Sequence, residues 1–201
     1  MTISVGIYLF NEVEVLDFAG PYEVFTTASR ISGQGNASNP VQFKVFLISK
    51  DKDAIRTRPG LIVHADYTIS NHPPINLLLV PGGVVTDVLV NSRVTDWISS
   101  LSPKPKLIAS VCTGAFLLAK SGLLDGKVAT THWEDITEMR AMFPSVTVLE
   151  GRRWVDDGSM ITSAGISAGI DMSLHLVERL AGRVLSSRTA RQMDYKWNED
   201  S

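Results

Sequence analysis

The chain of 201 residues holds one cysteine, Cys112. A lone thiol cannot close an intrachain disulfide, and a zinc site would have to be assembled from the four histidines and from carboxylates. No two of His64, His72, His132 and His175 stand four apart on a helical pattern, so neither a metal nor another cofactor is expected. Charge of one sign is scarce as well. With 19 Lys+Arg against 21 Asp+Glu the formal net charge is -2, which leaves no basic excess for phosphates and excludes nucleic acid as the default partner. Residues 1–29 contain no Lys or Arg. The apolar runs also fall far short of the ~18 residues that a membrane span requires, so neither a leader nor a membrane anchor is expected, and a cytoplasmic location suits the free thiol.

What is present is apolar residue in short bursts. Hydrophobic residues make up 44% of the chain, and a protein of this size buries roughly 70% of its unfolded surface. ISVGIYLF from Ile3, INLLLV from Ile75, KLIASV from Lys106 and KVATT from Lys127 read as strands buried on both faces. Helical patterns come between them. Gly20-Pro21 is expected to open the helix PYEVFTTASR with proline at its first position, Thr95 to Leu101 to close another, and AFLLAKSGLL to form a third. ISAGIDMSLHLVERLAG is a helix ending at Gly182, and RVLSSRTARQMDYKW a solvated terminal one. Alternating strands and helices predict one α/β domain over 1–201, with a mainly parallel sheet and helices on both faces. QFKVFLIS with RTRPGLIVHADYTI, and RRWVDDGSMITS with its Asp157-Gly158 turn, are expected to add antiparallel ribbons. SGQGNASNP at 32–40 reads as a surface excursion.

Cys112 follows the strand KLIASV and precedes Thr113-Gly114-Ala115 at the start of a helical pattern. Open α/β sheets place ligands at such a strand-to-helix elbow, and the helix N-terminus is expected to favour thiolate. A nucleophile is expected here rather than a small buried hydrophobe, because Gly114 and Ala115 leave room for close approach. Asp17 stands between Leu16 and Phe18, before a Gly-Pro turn. It reads either as a partly buried acid with a raised pKa, suited to serve a thiol, or as a capping aspartate. Glu12, Glu14 and Glu23 read as solvated. Gly82-Gly83, after INLLLV, form either an oxyanion-binding turn or a plain one, and His132 is either a residue of the Cys112 edge or a strand-end histidine. GISAG at 165–169 matches the serine-hydrolase elbow G-x-S-x-G. Only 34 residues follow Ser167, and Asp171 and His175 share its helix. Its glycines are therefore read as close-packing positions and the serine as a helix cap.

LDFAGPYEVF, LLLVPGG, SVCTGAFLLAKSGLLDGKVATTHW and ITSAGISAGIDMSLHLVERL together resemble the ThiJ/PfpI superfamily, nearly from end to end. The resemblance is greatest to its isonitrile hydratase branch, where an aspartate in L-D-x-x-G-P accompanies a C-T-G elbow. It implies a flavodoxin-like three-layer sandwich, a small-molecule substrate and a homodimer. It also implies catalytic roles for Asp17, Cys112 and Thr113, with Gly82, Gly83 and His132 around the substrate. Peptidase-like members carry histidine after the cysteine and glutamate as the acid, so Thr113 and Asp17 count against peptidase activity. A redox or electrophile sensor and a glyoxalase-like protein are the other roles known among the relatives. The N-terminal pattern is similar too to the ligand-sensing half of certain transcriptional regulators; ending at Ser201, the chain is expected to carry no DNA-binding module.

Overall fold

The computed structural model of the chain describes residues 1–33, 42–101 and 107–199. Strand β1 (Thr2–Leu9) runs into helix α1 (Val15–Ser32), and β2 (Gln42–Ser49) returns beside β1. Three short strands follow: β3 (Ile55–Arg56), β4 (Ile62–Val63) and β5 (Tyr67–Thr68). β6 (Leu77–Val80) leads to α2 (Thr86–Leu89) and α3 (Ser92–Leu101), and β7 (Leu107–Val111) feeds α4 (Gly114–Lys120). Next come β8 (Val128–Ala129), a 3-10 turn at Trp133–Asp135, α5 (Ile136–Met142) and β9 (Thr147–Val148). The hairpin of β10 (Trp154–Asp157) and β11 (Met160–Ser163) precedes α6 (Ala168–Ala181) and α7 (Arg183–Gln192).

The main sheet has the order β10-β11-β7-β6-β1-β2-β5 and is parallel except for β10 against β11. Every residue of β6 and β7 is buried, as continuous apolar runs require of central strands. Helices α1, α6 and α7 pack together, while α2, α3 and α4 form a second group with α4 on β6 and β7. This is the expected sandwich of a mostly parallel sheet with helices around it. From β1 the chain proceeds to β2 on one side, whereas β6 and β7 continue on the other. The strand order thus reverses between β1 and β6, and ligand crevices of open α/β sheets lie at the carboxyl ends of such a pair.

Several local expectations are corrected. Helix α1 begins at Val15, so Pro21 lies inside it rather than at its start. The helix absorbs that proline because the only intrahelical bond lost is the one to the Asp17 carbonyl. QFKVFLIS forms no ribbon: it pairs with β1 in parallel along all eight residues, and Tyr67–Thr68 extends the sheet in parallel beyond it. Only β3 with β4 is the antiparallel ribbon expected there. KVATT contributes just Val128–Ala129, paired with β9 outside the main sheet. Helix α7 buries Leu185, Ser186, Thr189 and Ala190 against its neighbours instead of standing in solvent. The antiparallel hairpin expected around Asp157-Gly158 forms, but Asp157 still pairs with Met160, so the turn falls one residue later, at 158–159, with Gly158 at φ +74. Most of the 32–40 excursion lies outside the described residues.

Gly114 sets how closely α4 approaches the end of β6. A Cβ there would stand 2.1 Å from the Val80 carbonyl oxygen and 2.8 Å from that of Pro81, both backbone atoms. We expect Gly114→Ala to lower the unfolding free energy by about 1–3 kcal/mol in a urea titration. An unchanged midpoint would show that the two strand ends can separate freely.

Candidate active site

Cys112 sits immediately after β7 with φ +56, in the left-handed region. That conformation disfavours a residue with a Cβ by roughly 1–2 kcal/mol, so neighbouring structure must hold it. Its amide donates to the carbonyls of Ser163 (3.1 Å) and Ala164 (3.3 Å), at the end of β11. Its own carbonyl accepts the Thr131 hydroxyl at 2.9 Å. The thiol residue is buried, with 8% of its surface exposed.

Asp17 occupies the first turn of α1 and is completely buried. The Gly82 amide donates to its Oδ2 at 3.0 Å, while Oδ1 makes no formed hydrogen bond. Burial pushes this carboxyl up to about 7, despite the Gly82 amide; Glu14 adds to the rise, and the hydrogen-bonding influence of the Cys112 thiol opposes it. The capping alternative is thereby excluded, since Asp17 points its bond across to another loop. Cys112 is pushed up to about 12, first by burial and then by the negative charge of Asp17. The Thr113 amide and hydroxyl pull it down, and Asp135 pushes it up. The expectation of a resting thiolate is therefore overturned, because burial outweighs the helix N-terminus. Thiol and carboxyl each act on the other's protonation, so their titrations are linked.

Thr113 and Gly83 clasp each other: the Gly83 amide donates to Thr113 Oγ1, which donates to the Gly83 carbonyl, both at 2.9 Å. Neither amide of the glycine pair is thus free for an oxyanion, since Gly82 holds Asp17 and Gly83 holds Thr113. Gly82 is required by space, as a Cβ would lie 2.6 Å from the Thr113 nitrogen and 2.8 Å from Cys112 Cβ. Asp17, Gly82, Gly83, Cys112 and Thr113 are therefore brought together as the sequence reading grouped them.

His132 stands beside this group but turns to other work. Its Nδ1 accepts the Glu134 amide at 3.4 Å and lies 3.5 Å from Asp135 Oδ2, and its ring fills the space over Gly165. Asp135, whose charge reaches Cys112, was missed; its only signal was the position three residues after His132. Burial raises its pKa, against the influence of His132. A cavity of about 400 Å³ opens next to Thr113, with Val84, Phe116, Asp135 and Met142 among its walls.

Ser167 is exposed and sits at the N-cap of α6 without a side-chain cap bond. The strained residue of GISAG is Ile166, at φ +47, rather than the serine. Asp171 is committed to Arg153 and the Asn198 amide, and His175 to Asp156 at 2.7 Å. No serine-hydrolase triad is assembled from them. Gly169 packs against Val111, as a close-packing glycine should. Among the described residues no group of three or more His, Cys, Asp or Glu side chains is placed to hold a metal ion, and no helix is long and apolar enough to cross a membrane.

Comparison with known proteins finds the DJ-1/PfpI family over residues 3–179. Isonitrile hydratase of Pseudomonas putida is 31% identical over 97% of this chain and 79% of its own length. The HTH-type transcriptional regulator GbdR of Pseudomonas aeruginosa is 28% identical over 96% of this chain, which spans about half (51%) of that regulator. Among solved structures, a ThiJ/PfpI family protein from Pseudomonas syringae superposes with a TM-score of 0.85 at 23% identity, covering 98% of this chain and 77% of that one. Enzymes and regulators thus both share this domain.

The raised carboxyl carries a pH signature. The folded chain keeps a proton on Asp17 up to about 7, whereas the unfolded chain releases it near 3.9. Stability therefore falls as pH rises between those values and stays lower above them. Asp17→Asn should raise the urea midpoint over the parent at pH 8 and leave it nearly unchanged at pH 4. An equal gain at both would assign the effect to packing instead of charge.

Proposed function

The chain belongs to the DJ-1/PfpI family, and on that footing we propose that it hydrates an organic isonitrile to the N-substituted formamide. The observation that carries this reading is the burial of Asp17 against Cys112, which lets one proton serve both groups. The relative at 31% identity is named for that reaction.

Hydration of R–N≡C needs a nucleophile for the terminal carbon, a proton for the same carbon, and then water. In the working form the thiol is protonated and Asp17 ionised. As Sγ bonds to carbon, the S–H bond breaks and Asp17 relays that proton to the carbon, leaving a thioimidate with a C=N bond. The Thr113 amide, already acting on the sulfur, steadies the charge that gathers there. Asp17 is again a carboxylate. It takes a proton from water as the oxygen adds to carbon, and that proton passes to the nitrogen. The C–S bond then breaks, the remaining hydroxyl proton returns to sulfur through Asp17, and the formamide leaves. Overall one water is added and the thiol is regenerated.

The apolar part of the 400 Å³ cavity, with Val84, Phe116 and Met142, suits an uncharged substituent. A reducing cytoplasm would preserve the thiol. The working unit on this reading is a homodimer: Leu16, Trp133 and Ile166 are exposed apolar side chains next in sequence to Asp17, His132 and Gly165, and a second copy would cover them. Sedimentation should then give twice the chain mass; a species of single mass at micromolar concentration would remove the dimer from the account.

The direct test follows formamide release from a simple alkyl isonitrile. Cys112→Ala and Asp17→Asn should each slow it by about 10²–10⁴. A Cys112→Ala protein of full activity would overturn the covalent route, and an inactive parent whose thiol oxidises readily to sulfinic acid would favour a sensor. For the active parent, kcat/KM should rise with pH through an apparent pKa of about 7, as Asp17 ionises, and then level off. A rate that falls through that range would reverse the assigned protonation states.

A further inference from the structure

Resting on the hydratase reading, we propose that the cavity beside Thr113 makes the site selective for isonitriles with a long apolar substituent, such as hexyl, and that Val90 and Met142 set this preference. Cys112 and Asp17 act on the isonitrile carbon whatever the substituent is. The cavity decides which substituent is held.

The cavity is continuous with the reactive group. Gly83 and Thr113, which clasp each other beside Cys112, are both among its walls, so a substituent on the carbon bonded to Sγ has this space next to it. From Thr113 the lining follows helical spacing. Phe116 and Lys120 stand three and seven positions further along α4, which carries the wall about 10 Å from the clasp to an exposed end. On α5 the wall runs likewise from Asp135 to Met142, and the 84–90 segment closes the remaining side with Leu89 and Val90.

Apolar surface is left open on these walls. Val84, Val90 and Met142 are 44%, 82% and 47% exposed, and all three meet in this one cavity. Exposed apolar side chains gathered around a concave surface mark a place where an apolar group binds. Phe116 is the fixed part of the lining, since it is buried and its ring meets Phe143 edge-on at 6.0 Å, at the end of α5. Met142 is the adaptable part, because an unbranched thioether half in water adjusts to a chain lying against it. At about 400 Å³ the cavity has far more room than a methyl group fills. Each methylene that leaves water for such walls gains about fourfold in binding when fully buried, and roughly twofold where one side stays open.

Formamide release from hexyl and methyl isonitrile tests the preference. In the parent, kcat/KM should be about thirtyfold higher for hexyl, five methylenes at twofold each, with the gain in KM rather than kcat. Val90→Trp and Met142→Trp, both at exposed positions, fill the cavity from two sides, and each should lower the hexyl-to-methyl ratio at least tenfold. A general loss of structure would slow both substrates alike and leave the ratio where it was. Equal rates for the two substrates in the parent, or an unchanged ratio in both variants, would overturn the proposal while the hydratase reading stands. If neither isonitrile is turned over, the hydratase reading falls, and calorimetry with N-hexylformamide decides the cavity's preference separately. Saturable binding with a dissociation constant on the order of 1 mM is expected in the parent, weakened at least tenfold in Met142→Trp and absent for N-methylformamide; no binding, or equal binding of the two formamides, would overturn it.

Discussion

The close approach of three strand ends underlies everything else in this molecule. At Gly82, Gly83 and Gly114 a side chain would collide with backbone at 2.6, 2.2 and 2.1 Å respectively. Without a Cβ at those positions, the turns after β1, β6 and β7 close on one another. The Gly82 amide can then reach Asp17, and the Thr113 hydroxyl can clasp Gly83. The contact also explains how a cysteine keeps a left-handed backbone, since β11 and Thr131 grip its amide and carbonyl from the other side.

This crowding sets the electrostatics. A carboxyl with no access to water resists ionisation, and a thiol buried beside it resists more strongly. A helix N-terminus alone would have favoured thiolate, and burial reverses the sign. The consequence is a cysteine that keeps its proton at rest. Val84 and Thr86, next to the crowded turns, line both the cavity beside Thr113 and the cleft at the ends of β1 and β2.

Much of the fold was legible because central parallel strands must be apolar throughout: ISVGIYLF, LLLV and LIASV identify β1, β6 and β7 with little ambiguity. QFKVFLIS misled, since a strand near the sheet's edge alternates in burial and resembles a ribbon strand. Pro21 misled for a different reason. It looks like a helix start, yet α1 tolerates it inside because one missing bond is offset by burial of Phe18, Val24 and Phe25 on the same helix.

The sequence by itself determined which residues could do chemistry, because a single cysteine at an elbow, an aspartate between apolar neighbours and a Gly-Gly after a strand are local patterns. Only the tertiary structure decided what they do to one another. The glycine amides are occupied with Asp17 and Thr113 instead of awaiting an oxyanion, and both titrating groups are pushed upward. Those outcomes depend on desolvation and on contacts between residues 30 to 95 positions apart, such as Gly83 with Thr113 and Asp17 with Cys112, and no local pattern records them.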